Sequence, residues 1–122
     1  MGRPRRVSEP TFEAVRADLR RFVAERDWDA FHAPKDLALS MAIEAGELLE
    51  VFQWRQLHAA DLTPDDQRRI QEEVADVVMY AMLLAEKAGF DLPSAIAAKL
   101  AQNRAKYPVE KARGRAEKYD RL

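Results

Sequence analysis

Apolar residues recur at three- and four-residue spacing along most of the chain, and no useful stretch alternates with period two. Phe12, Val15, Leu19, Phe22 and Val23 predict an amphipathic helix that starts with Thr11 or Ser8 as N-cap and runs to about Glu25. The stretch Arg26-Asp27-Trp28-Asp29-Ala30-Phe31-His32-Ala33-Pro34 breaks that period with aromatics and reads as an ordered loop. A second helix is expected from about Pro34–Asp36 to Gln56. Thr63-Pro64-Asp65-Asp66 opens a third with a capping hydroxyl, a proline at the first helical position and two acids in the first turn. That helix should reach Lys87, with Gly89 as its C-cap. Leu92-Pro93 opens a fourth, which passes through Ile96, Leu100 and Asn103 and is closed at about Lys106 by Pro108. The expected fold is all-α, a four-helix bundle.

Composition narrows the chemistry. With 122 residues the chain suits one core, and 48% hydrophobic with 34% charged content is that of a soluble helical protein. The absence of cysteine excludes a disulfide scaffold, a thiolate zinc site, an iron–sulfur cluster and a cysteine nucleophile. No apolar run approaches about 18 residues and the start is basic, so a cytoplasmic protein without a membrane partner is expected. The net charge of -1 hides a segregation: residues 1–6 and 99–122 are basic, whereas residues 7–98 are strongly acidic. This suggests a basic N-terminal extension over 1–10, a helical domain over 11–107, and a basic tail over 108–122.

The acids of the middle region fall in phase. Over residues 37–54 of the second helix Ser40, Glu44, Glu47, Glu50 and Trp54 share an arc of about 120°, and apart from Gln53 the rest of the circumference is apolar or small. An ordinary surface helix shows the reverse proportions, so burial nearly all round is expected. Over residues 73–85 of the third helix only Glu73, Asp76 and Tyr80 are polar, and they share an arc of about 60° on an otherwise apolar cylinder. Each helix thus carries an acid-x-x-acid pair, and unpaired carboxylates in apolar surroundings cost several kcal/mol or take up protons. Residues 37–54 and 73–85 contain no Arg or Lys. Compensation must come from basic side chains elsewhere, from solvent along a polar stripe, or from divalent cations. All-oxygen ligation favours Mg²⁺, with Mn²⁺ as substitute. A ferritin-like di-iron site would want Glu-x-x-His pairs, and neither His32 nor His58 stands in that relation to an acid.

Carboxylate-held Mg²⁺ completes its shell with water and substrate phosphates, which points to a polyphosphate substrate. Lys99, Asn103, Arg104, Lys106, Lys111 and Arg113 offer an opposing phosphate clamp, and Trp28, Trp54, Tyr80 and Tyr107 could stack on a base. No P-loop motif is present.

Glu44-x-x-Glu47 followed by Glu73-x-x-Asp76 resembles the signature of the MazG-like all-α NTP pyrophosphatases, which cleave nucleoside triphosphates to monophosphate and pyrophosphate with Mg²⁺. The strings Arg26–His32, Gly46–Trp54, Glu72–Val77 and Asn103–Val109 resemble the dCTP pyrophosphatase branch, and the likeness covers about residues 11–122. The resemblance implies that Glu44, Glu47, Glu73 and Asp76 hold the metal. It implies that Trp28, His32, Trp54 and Tyr80 form the nucleoside pocket, and that Lys99, Asn103 and Tyr107 contact phosphate or sugar. It also implies a homotetramer whose pockets can draw on two chains. Two departures stand out: the loop Leu57–Leu62 is shorter than in animal relatives, and Lys106 stands where Arg is common. The resemblance implies hydrolysis of dCTP, or a modified dCTP, to dCMP and pyrophosphate in nucleotide pool control or sanitation, and the expected chemistry is attack of activated water on the α-phosphorus with Glu44 or Glu50 as base. The alternatives are a broader or dUTP-selective NTP pyrophosphatase, or a non-catalytic helical module whose basic tail binds nucleic acid. On the favoured reading nucleic acid is not a partner.

Overall fold

The computed structural model describes residues 10–122. The alternative cap Ser8 and, residue 10 apart, the basic N-terminal extension lie outside the described residues. Every regular element among the described residues is helical: α1 (Phe12–Glu25), α2 (Pro34–Glu50), α3 (Pro64–Ala88), α4 (Leu92–Lys106) and α5 (Val109–Ala112), with short 3₁₀ helices at Asp29–Phe31, Ala59–Asp61 and Tyr119–Arg121. The fifth helix, one turn long, falls inside the segment expected as a tail. No described helix is long and apolar enough to cross a membrane. The chain divides between Ala88 and Gly89 into two compact units.

In the first unit α1 begins where expected, because the Thr11 hydroxyl accepts the Ala14 N–H at 3.2 Å. The aromatic loop after α1 is ordered by its own contacts. Asp27 takes a left-handed turn, the Trp28 N–H returns to the Val23 carbonyl at 3.1 Å, and Trp28 meets Phe22 edge-on with centroids 5.6 Å apart. An ion pair of 2.7 Å ties Asp29 to Lys87 near the end of α3. The dominant packing in this unit is between α2 and α3, with Leu37 and Val51 fully buried.

Two expectations about α2 need correction. It stops at Glu50 and not at Gln56. The N–H groups of Val51, Phe52 and Gln53 bond three residues back, tightening the chain out of α-helical register, and Trp54 then adopts a left-handed φ of 63°. Nor is α2 buried all round within one chain: Leu39 is 55%, Ile43 53% and Leu49 70% exposed. The helix packs extensively on α3, and among the described residues these three apolar side chains stay largely uncovered.

The return from α2 to α3 is fixed by a clamp. Arg55 donates two hydrogen bonds of 2.9 Å to the two oxygens of buried Asp66 and a third, at 3.3 Å, to the Val51 carbonyl. Asp66 also accepts the Thr63 N–H at 3.0 Å while its own N–H donates to the Thr63 hydroxyl at 3.1 Å, a reciprocal cap at the start of α3. Gly89, with φ +80°, supplies the left-handed residue that ends α3.

In the second unit Asp91 caps α4 by accepting from the Ser94 N–H at 3.1 Å and the Ser94 hydroxyl at 2.6 Å. Lys106 ends the helix as expected. Beyond it Tyr119 meets Tyr107 edge-on at 6.2 Å, and the Lys106 ammonium lies 4.9 Å from the centre of the Tyr119 ring.

Candidate metal centre

Packing α2 on α3 brings their acid stripes face to face. Glu44, Glu47 and Glu73 each present a carboxylate oxygen within 4.8 Å of the others, close enough for one ion to touch all three. The i, i+3 spacing on α2 allows this, since residues three apart share a helix face. Glu44 and Glu73 are half-buried and Glu47 is exposed. Asp76 follows Glu73 by one turn and is close enough for its charge to act on both Glu44 and Glu73. Glu50 is exposed and stands outside the trio.

The electrostatics are those of a site short of positive charge. The Glu44 carboxyl is pushed up to about 7, first by burial, then by hydrogen bonding with Glu47 and Glu73 and by the charges of Glu47 and Asp76. Glu73 is raised too, chiefly by burial, with Glu47 and Asp76 adding to the effect. One oxygen of Glu44 and one of Glu73 are buried with no hydrogen-bond partner. Among the described residues no ion pair joins any of these four acids to a basic side chain. Orphaned carboxylate oxygens facing one another fit a divalent cation: the donor set is all oxygen, and its charge is what an ion of two positive charges offsets.

Beside the acids lies a cavity of about 380 Å³, into which Glu44 and Asp76 face together with Trp28, His32 and Tyr80. Phe22, Met79 and Leu83 extend its apolar wall. Three of the four residues expected to hold the nucleoside are therefore gathered against two of the expected metal ligands. Trp54 is not among them; it is 94% exposed. Lys99, Asn103 and Tyr107 belong to the second unit, on α4 and at its C-cap, with Asn103 half-buried and accepting the Tyr107 N–H through its carbonyl at 2.9 Å.

Two features escaped the sequence. Asp18 lines the cavity, although its place on the apolar stripe of α1, three after Val15 and four before Phe22, was a readable anomaly. The Arg55–Asp66 clamp joins residues eleven apart across an irregular loop, and nothing in the local pattern announces it.

Known proteins are similar to this chain in sequence and fold. The model of the MazG-like family matches residues 39–122. The chain is 43% identical to dCTP pyrophosphatase 1 of Mus musculus, over 98% of its own length and 73% of that protein. It is 40% identical to dCTP pyrophosphatase 1 of Homo sapiens, over 93% and 69% respectively. The crystal structure of a pyrophosphatase from Archaeoglobus fulgidus superposes with a TM-score of 0.68 at 35% identity, covering 79% of this chain and 91% of that one. With its acid-lined α2–α3 pair, its all-helical build and a family match across more than half its length, the chain belongs to the MazG-like family.

Proposed function

We propose that this protein hydrolyses dCTP to dCMP and pyrophosphate in a Mg²⁺-dependent reaction, as a cytoplasmic enzyme of nucleotide pool control. The carrying observation is the convergence of Glu44, Glu47 and Glu73 beside an aromatic cavity large enough for a nucleoside. The dCTP pyrophosphatases to which the chain is 40–43% identical supply the substrate.

In this reading Glu44, Glu47, Glu73 and Asp76 hold the metal. A divalent ion held there would supply positive charge to offset the phosphates and would favour ionisation of water at neutral pH. The chain's own groups do the rest. Trp28 and Tyr80 offer faces for the base, and His32 offers a ring N–H donor at the same wall. Of the two candidate bases Glu44 is better placed, because it faces the cavity and gathers with the trio, whereas Glu50 does neither. A proton leaving the water that attacks the α-phosphorus passes to that carboxylate, and pyrophosphate departs in line. Lys99, Asn103 and Tyr107 are assigned to phosphate or sugar on the resemblance.

The protein assembles as a homotetramer in this account. Its support is the apolar surface that one chain leaves open on α2 and α3 at Leu39, Ile43, Leu49, Val74 and Val78. Trp54, exposed on its own protomer, serves a neighbour's cavity, and the tail over 108–122 packs on a neighbouring subunit.

The test is a panel of the eight common nucleoside triphosphates, assayed for monophosphate and pyrophosphate with Mg²⁺ and with chelator. dCTP should be turned over fastest, and only with metal. Metal-independent turnover, or orthophosphate as first product, would refute the proposal.

A further inference from the structure

One group in the cavity is called for neither by the metal chemistry nor by the aromatic walls. The face that α1 turns to the cavity reads Val15, Asp18, Leu19, Phe22 and Val23. Asp18 is its one charged residue, half-buried where the helical period calls for an apolar side chain. It comes from a different helix from the acid trio and is not part of it. Its ion pair with Arg21, at 3.5 Å and along the same helix, is at the limit of hydrogen bonding and leaves acceptor capacity unused. An ionised carboxylate can only accept, so a ligand seated against it must bring a donor.

We propose that Asp18 reads the base: its carboxylate accepts a hydrogen bond from the exocyclic 4-amino group of cytosine and thereby selects dCTP over dUTP. Cytosine and uracil differ at that edge, where cytosine presents an N–H donor and uracil a carbonyl acceptor. Opposed to a carboxylate, the uracil oxygen leaves two acceptors facing each other in a partly dehydrated cavity. Sites built around a hydrogen bond reject a ligand lacking it more strongly than stacking alone can. Trp28 and Tyr80 present faces that accept either pyrimidine, so discrimination needs a polar group, and Asp18 supplies an acceptor. The inference deepens the dCTP reading above and rests on it.

The experiment measures kcat/KM for dCTP and dUTP, at saturating Mg²⁺, in the wild type and in Asp18→Asn, Asp18→Leu and Arg21→Gln. Asp18→Asn keeps the shape but can turn an amide N–H₂ toward the uracil oxygen. Its dCTP/dUTP ratio should fall by about ten- to hundredfold, partly through a gain on dUTP. Asp18→Leu should lose on dCTP, mainly in KM, without that gain. Arg21→Gln, which removes the ion-pair partner, should keep the wild-type ratio. A purely structural role for Asp18 would depress both substrates together and leave the ratio unchanged, and that outcome in a dCTP-selective wild type overturns the inference. A wild type that hydrolyses dCTP and dUTP equally, or neither, refutes instead the dCTP reading and this inference with it.

Discussion

Metal binding at the acid trio should be linked to a proton. Glu44 is held at about 7, against an ordinary value of 4.5, because it is half-buried among other carboxylates. A carboxylate must be ionised to ligate, so the ion competes with that proton. With a value near 7, roughly a tenth of the groups are ionised at pH 6 and roughly nine tenths at pH 8, so apparent affinity for Mg²⁺ should rise about tenfold across that interval. Without metal the sign of the stability effect is opposite. The folded protein holds a proton that the unfolded chain has released, so this group's contribution is complete below about pH 4.5 and fades as pH climbs toward 7. Titration calorimetry of the wild type with Mg²⁺, in two buffers of different ionisation enthalpy, reads the affinity and the protons released on binding. Close to one proton per ion should be released at pH 6 and little at pH 8, and Glu44→Gln should abolish the release. An affinity that stays flat from pH 6 to pH 8, with no proton released, would refute the reasoning.

Three further outcomes follow from other parts of the molecule. The bidentate Arg55 guanidinium, with the Thr63 N–H, holds the Asp66 carboxyl well below the usual range, so its stabilisation is intact above about pH 4 and lost as pH falls further. Urea midpoints between pH 5 and pH 2.5 should show a steeper acid decline in the wild type than in Asp66→Asn. The left-handed φ of Trp54 should make Trp54→Gly about 1 kcal/mol more stable than Trp54→Ala in the same melts, since glycine alone takes that conformation without cost. Leu39→Glu and Leu49→Glu, placed on the open apolar face of α2, should give a smaller species by light scattering, whereas unchanged mass would argue against that face as the assembly surface.

Much of this architecture was legible because helix caps are local. Thr11 and Thr63 bond to N–H groups three residues on, and Gly89 takes the left-handed turn that a helix end favours. The acid trio was legible for a similar reason, since a three-residue spacing on two consecutive helices forces convergence once their apolar flanks pack. The end of α2 was not. Its helical pattern continues through Trp54 with no glycine or proline after Gly46, and the chain leaves the helix as Arg55 reaches Asp66 on the far side of the loop. The burial of α2 was misread for a physical reason: an apolar circumference reports the cover a helix needs, and Leu39, Ile43 and Leu49 do not find that cover within one chain. Asp18 shows the converse, a charge on an apolar stripe that periodicity alone passes over.

In the proposed function Glu44, Glu47 and Glu73 act together as a cation site that serves phosphoanhydride cleavage. Its most direct test follows dCMP and pyrophosphate formation from dCTP against Mg²⁺ concentration, in the wild type and in Glu47→Gln, with helicity checked by circular dichroism. Wild-type turnover should saturate with Mg²⁺ and vanish with chelator, and the variant should stay folded yet inactive throughout. Undiminished turnover by folded Glu47→Gln at ordinary Mg²⁺ would contradict it.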